Sequence, residues 1–362
     1  MIERVAVVGA GTMGAGIAQL CAQSGFPVKV YDSMPAALSA LPGRLRKSFD
    51  TAVLKGKLTT QQAERAFFSV CAVANLDDLA GADLVIEAAP EILTLKQDLF
   101  EKLSAICPDA LLATNTSSLS VADIMKKALS PERSLGVHFF NPPVVMKLVE
   151  MIRTEATSPE VFQVVWEFLL MGLRRTPVDV KDVPGFIVNR VMRPYYVTAQ
   201  RMVSSQTSCA AIDESCRSIG GVPMGPFELM DLIGLDTNLA ITKAIYEALG
   251  RPERFAPPAL QRKLVDVGML GRKSGKGFYL YQDGKKTGEN PAAASALSKG
   301  TDFSKIDIWG NLAGAITLEA ERLVSEGTAG AHDIDTAVKL AMNFPKGPFE
   351  WRKESAAAQP PQ

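Results

Sequence analysis

Only two histidines occur in the 362-residue chain, and one of them, His138, sits in the run Gly136-Val137-His138-Phe139-Phe140-Asn141-Pro142, with a carboxylate, Glu150, twelve positions downstream. Histidine takes and returns a proton near neutral pH, and a carboxylate on its second ring nitrogen fixes the tautomer and stabilises the charged ring. The pair is a candidate general base with its orienting acid; a hydrogen-bonded interior histidine is the bland alternative. A second chemical signal lies at the start of the chain, in Gly9-Ala10-Gly11-Thr12-Met13-Gly14 followed by Asp32. In such a loop Gly9 permits a tight turn. Gly11 lets a pyrophosphate approach the backbone at a helix N-terminus, whose first turn holds Thr12 and Met13, and Gly14 lets helix and strand pack closely. Asp32 would accept from ribose hydroxyls and repel a 2′-phosphate. The next residues, Ser33, Met34 and Pro35, include no arginine to welcome that phosphate, so NAD is expected over NADP.

These residues need particular elements to hold them. Residues 2–8 read as a buried parallel strand, the glycines open a helix, and residues 27–31 read as a second strand ending at Asp32. Residues 36–68 form a polar helical insertion carrying Arg44, Arg46, Lys47, Lys55 and Lys57, either a solvated hairpin or a basic surface for a polyphosphate tail. Residues 83–87 and 111–114 read as further strands, with a helix around 92–106 between them. Strands alternating with helices specify a parallel doubly wound sheet, whose ligands sit at the carboxyl ends of the strands. Glu91, Asn115, Ser117 and His138 all fall at such ends.

Bulk properties narrow the function. Thirty-nine basic and thirty-nine acidic residues give no net field for nucleic acid or an anionic membrane. The five cysteines lack metal or disulfide spacing, so reduced buried thiols and no metal site are expected. With no leader and no membrane-length apolar run, the expectation is a cytoplasmic protein.

Near residue 183 the alternation stops and helices take over. The helical half is duplicated: Ile212-Asp213 through Gly225-Pro226-Phe227-Glu228 recurs without a gap as Ile334-Asp335 through Gly347-Pro348-Phe349-Glu350. The expected organisation is a Rossmann-type domain over 1–183, a helical copy over 184–284, a linker over 285–304, a partial second copy over 305–352 and a tail over 353–362. His332, in a turn of the second copy without a nearby acid, reads as a surface residue. Two copies of one kind would pack as two subunits do, giving a monomer with an internal pseudo-dimer or a homodimer.

Taken together, the glycine loop, Asn115-Thr116-Ser117-Ser118, His138 to Pro142, Met146 to Glu150, Pro184 to Arg190, Gly225 to Asp231 and Gly271 to Tyr279 resemble the L-3-hydroxyacyl-CoA dehydrogenases of fatty-acid β-oxidation, over nearly the whole chain. The resemblance implies NAD-dependent oxidation of a 3-hydroxyacyl-CoA, with His138 as base, Glu150 as its partner, and Ser117 and Asn189 as ligands of the substrate oxygen. It also implies Glu91, Lys96 and Asn115 near the nicotinamide and its ribose, Asn141 beside the substrate, and Lys55 and Lys57 toward CoA. Thr198-Ala199-Gln200 departs from the family's usual asparagine-glutamate pair, at a place used for dimer contacts. Two alternatives remain open: a dehydrogenase of a free hydroxy acid, similar to gulonate or carnitine dehydrogenases, and a crystallin-like NAD-binding protein without activity.

Overall fold

The computed structural model describes residues 1–294 and 301–357. The chain divides into two compact units, Met1–Val183 and Pro184–Gln362.

The first unit is a three-layer α/β structure. Its strands are β1 (Val5–Val8), β2 (Val28–Tyr31), β3 (Val70–Val73), β4 (Leu84–Glu87), β5 (Leu111–Thr114), β6 (Ser134–Phe139), β7 (Leu148–Arg153) and β8 (Thr176–Lys181). Its helices are α1 (Thr12–Gln23), α2 (Pro35–Leu54), α3 (Thr60–Phe68), α4 (Leu93–Ile106), α5 (Val121–Met125) and α6 (Pro159–Glu167). The sheet order is β3-β2-β1-β4-β5-β6-β7-β8. All four β1 residues are buried, as a strand covered on both faces requires. The sheet is not wholly parallel, because β7 runs antiparallel to β6 and β8 follows β7 in parallel. The residues joining β6 to β7 are too few for a helical crossover, so the chain returns as a hairpin.

The insertion is a helical hairpin, α2 and α3, with Thr59 and Gln62 forming a reciprocal capping box at the start of α3. Sequence reasoning passed over the edge strand β3, a short run only half-buried; it carries Cys71, the one exposed cysteine, contrary to the expectation that all five are buried.

In the second unit the elements are α7 (Val188–Met202), α8 (Cys209–Ser218), α9 (Pro226–Ile233), α10 (Leu235–Ala248), α11 (Ala259–Asp266), β9 (Tyr279–Gln282), β10 (Lys285–Glu289), α12 (Pro291–Ala294), α13 (Lys305–Ser325), α14 (Ala331–Met342) and α15 (Pro348–Ala357). The repeat has a physical basis here. Asp213 accepts hydrogen bonds from the Phe227 and Glu228 amides, both at 3.0 Å, and so caps α9; Asp335 accepts from the Phe349 amide at 2.9 Å and caps α15. The glycine before each proline is required by the same contact, since a Cβ on Gly225 or Gly347 would come within 2.2 Å of the aspartate oxygen.

Helix α13 packs along α7, and the buried Glu319 joins the two copies. Its carboxylate accepts from Arg190 at 2.9 Å and Arg254 at 2.6 Å in the first copy, and from Arg322 at 3.0 Å in its own helix. Burial opposes that charge, but the three guanidiniums outweigh burial and hold the carboxyl below its usual range. The span expected to be a linker is ordered at its start. Residues 285–289 form β10 against β9, while residues 295–300 of that linker lie outside the described residues. Helix α15 runs to Ala357, into the span expected to be a tail, and residues 358–362 of that span lie outside the described residues.

Candidate active site

The glycine loop does what its sequence demands. Gly9 adopts φ +105°, and a Cβ there would meet the Ala88 carbonyl oxygen at 2.6 Å; a Cβ on Gly14 would stand 1.8 Å from the Gly9 oxygen. Gly11 is different, because a Cβ on it would meet nothing within 4 Å. The first turn of α1 has no side-chain cap, which leaves its N–H groups without the carboxylate or hydroxyl that would compete with a bound anion. Asp32 follows β2, and its carboxylate accepts from the Ala10 amide at 2.7 Å and the Met34 amide at 2.8 Å. Each oxygen keeps a second lone pair for a ribose hydroxyl. These residues fit a dinucleotide.

The hairpin made by β6 and β7 places His138 directly opposite Glu150 in the ladder. Cross-strand partners share a face, which turns a twelve-residue separation into a contact. His138 Nδ1 lies 2.7 Å from Glu150 Oε2, with the two side chains 8% and 0% exposed. The carboxylate accepts, so Nδ1 carries the hydrogen. Phe140 covers the imidazole with ring centroids 4.6 Å apart. Asn115, just past β5, accepts from the Phe139 amide at 2.8 Å and so ties the neighbouring strand to the histidine's end of β6.

Glu91 organises a second cluster. Its Oε1 accepts from the Ser117 amide at 2.6 Å, the Thr116 hydroxyl at 2.9 Å and the Ser117 hydroxyl at 3.1 Å. Burial works against the Glu91 charge, but Lys96 and these donors prevail and lower its pKa. Lys96 itself is 1% exposed. Its ammonium donates to Glu87 at 2.7 Å and to the Ala89 carbonyl at 3.2 Å, and lies 3.3 Å from Glu91. Glu87, wholly buried at the end of β4, also accepts from the Thr114 hydroxyl at 2.7 Å. Sequence reasoning did not single out Glu87; its one signal is a carboxylate closing an otherwise apolar strand. Lys96, expected near the cofactor, is the buried counter-charge of Glu87 and Glu91.

Among the other expected residues, Asn141 is exposed just after β6 and precedes a cis proline bond. Lys55 and Lys57 flank the turn at Gly56 between α2 and α3 and are exposed. Arg46 pairs with Glu64 and stacks over Phe67 within the hairpin, whereas Arg44 donates to the Ala10 carbonyl at 2.6 Å. Asn189 belongs to the second unit, in the first turn of α7, and its half-buried amide has no side-chain partner among the described residues. His332 is exposed, as expected, but it stands in the first turn of α14 beside Asp333. No described helix is long and apolar enough to cross a membrane.

A glycine-loop dinucleotide site and a buried histidine–carboxylate pair on one Rossmann-type sheet define an NAD-binding oxidoreductase fold. Residues 4–183 match the 3-hydroxyacyl-CoA dehydrogenase NAD binding domain, and residues 185–281 and again 310–356 match the 3-hydroxyacyl-CoA dehydrogenase C-terminal domain. The chain belongs to the 3-hydroxyacyl-CoA dehydrogenase family. It is 35% identical to a 3-hydroxyadipyl-CoA dehydrogenase of Escherichia coli K12, over 97% of this chain and 90% of that one. It is 39% identical to a 3-hydroxybutyryl-CoA dehydrogenase of Mycobacterium tuberculosis, over 77% of this chain and 99% of the relative. The crystal structure of an Escherichia coli K12 3-hydroxybutyryl-CoA dehydrogenase superposes with a TM-score of 0.87 at 33% identity, covering 98% of this chain and 92% of that one.

Proposed function

We propose that the chain catalyses the reversible NAD-dependent oxidation of the 3-hydroxyl of an L-3-hydroxyacyl-CoA to the 3-ketoacyl-CoA, with His138 as general base. The observation that carries the assignment of the base is the buried 2.7 Å contact between His138 and Glu150 at the end of β6. NAD, when bound, supplies the hydride acceptor. Gly9, Gly11, Thr12, Met13 and Gly14 hold its pyrophosphate and Asp32 its adenosine ribose, with Glu91 and Asn115 toward the nicotinamide end. Lys96 positions Glu91 by charge.

With Nδ1 engaged by Glu150, the substrate hydroxyl proton goes to Nε2 as the C–H hydride leaves. Glu150 stabilises the imidazolium so formed. The Ser117 hydroxyl donates to Glu91 in this structure, and the single proton of the substrate hydroxyl is left to His138 Nε2. To stabilise a developing alkoxide, the Ser117 O–H must turn from Glu91 toward it. The Asn189 amide is a neutral donor suited to the same oxygen. Asn141 lies on the substrate side, and Lys55 and Lys57 reach toward CoA. We place the protein in the cytoplasm, acting either as a monomer with its two helical copies paired or as a homodimer.

The test is a panel of L-3-hydroxyacyl-CoA thioesters of increasing length, including 3-hydroxyadipyl-CoA, against free L-gulonate and carnitine. At least one thioester should exceed both free acids in kcat/KM by a hundredfold or more. Faster turnover of a free acid would move the chain to a hydroxy-acid dehydrogenase, and no turnover of anything with intact NADH binding would favour a non-catalytic role.

A further inference from the structure

The basic helical insertion holds one residue whose orientation its sequence does not explain. Arg44, in the third turn of α2, crosses back to the glycine loop and donates to the Ala10 carbonyl at 2.6 Å. The Asp32 carboxylate holds the amide of that same residue at 2.7 Å. Carboxylate and guanidinium are thus anchored on one residue, within about 9 Å of each other by covalent geometry. Among the described residues, Arg44 makes no other hydrogen bond and no ion pair, and it is exposed. A guanidinium carries five N–H donors in a planar fork. One is spent on Ala10, and the rest have no hydrogen-bond partner among the described residues.

We propose that Arg44 is a cofactor-specificity residue. It offsets the Asp32 charge at the adenosine ribose, so the protein discriminates against a 2′-phosphorylated dinucleotide less than Asp32 would by itself. Arginine is the side chain suited to a phosphate in this place, being permanently charged and fork-shaped. Charge repulsion from Asp32 still leaves NAD the preferred cofactor, and Arg44 narrows the margin. This inference rests on Asp32 reading the ribose.

The experiment uses the full chain and two soluble probes, 5′-AMP and 2′,5′-ADP, titrated calorimetrically, alongside the kcat/KM ratio for NADH over NADPH. In Arg44→Gln the affinity for 2′,5′-ADP relative to 5′-AMP should fall about fivefold, the size of a screened charge interaction at an exposed site. The NADH-over-NADPH ratio should rise by a similar factor, and Arg44→Lys should recover most of it. Equal weakening of both probes, or no change in their ratio, would overturn the proposal, because Arg44 would then meet the pyrophosphate or only brace the loop. Asp32→Ala is measured in parallel and should favour 2′,5′-ADP. If it does not, the reading of Asp32 fails; if it does while Arg44→Gln shifts nothing, only the role of Arg44 fails.

Discussion

Replacing Glu150 with glutamine tests the proposed base at its support. The amide keeps the shape of the carboxylate and can still accept from Nδ1, so the substitution removes charge with little change in packing. Both partners are buried, at 8% and 0% side-chain exposure, so bulk water screens the pair little. Charge centres about 4 Å apart in an environment of effective dielectric about 20 attract by roughly 4 kcal/mol. If the proton is about half transferred in the transition state, Glu150→Gln removes roughly 2 kcal/mol of its stabilisation, about thirtyfold in kcat. His138→Gln, which removes the base itself, should cost on the order of 10² to 10⁴. The two act as a unit, so the double variant should be no slower than His138→Gln alone. The assay follows the rise of NADH absorbance during oxidation of L-3-hydroxybutyryl-CoA, the direction in which His138 starts neutral, with circular dichroism and NADH affinity as controls for folding. A kcat within threefold of wild type in Glu150→Gln, or additive losses in the double variant, would refute the reasoning.

The second and third glycines of the loop should separate ligand from fold. Gly14→Ala puts a Cβ 1.8 Å from a backbone oxygen and should destabilise the first unit by about 1–3 kcal/mol or more, whereas Gly11→Ala, with nothing within 4 Å, should leave the melting temperature nearly unchanged while weakening NADH binding. Equal losses of stability would contradict this. The aspartate caps of the repeat should differ in cost: Asp213→Ala strands three donors, counting the Tyr279 hydroxyl at 2.7 Å, and should cost about 3 kcal/mol by denaturant unfolding, against about 1 kcal/mol for Asp335→Ala. Equal costs would mean the copies bear load alike. Burial pushes the Asp213 carboxyl up to about 7 and the Asp231 carboxyl up to about 6, against the N–H and hydroxyl donors they accept. Both lie above the ordinary unfolded value of about 3.9, so the folded state binds more protons between roughly pH 4 and 7. Their contribution is therefore fully present below about pH 4 and is lost as pH rises through 7. The melting temperature should fall by a few degrees from pH 5 to pH 8, and a flat or rising curve would refute the shifts.

Much of this protein is legible along the chain. The strand, glycine loop, helix and Asp32 are local signals, because a turn that admits only glycine and a helix that opens on it are decided within a few residues. The two Asp–Gly-Pro copies are legible for the same reason: each aspartate sits a fixed distance before the helix it caps, and the glycine follows from the space between them. His138 and Glu150 were visible as types and spacing. Tertiary structure decided the rest. Their contact depends on β7 running antiparallel to β6 in a register that sets residue 138 opposite residue 150. Spacing alone does not settle that register, since a slip of one residue would turn Glu150 to the other face. The burial of Lys96 between Glu87 and Glu91 depends on where the fold sets the first turn of α4 relative to the carboxylate that closes β4. The reach of Arg44 to Ala10 depends on how α2 returns over the loop. Short edge strands such as β3 and β10 carry little periodicity of their own and form because a neighbouring strand offers unpaired N–H and carbonyl groups. Sequence determines what each segment is able to do; contacts between segments distant in the chain determine which side chains meet.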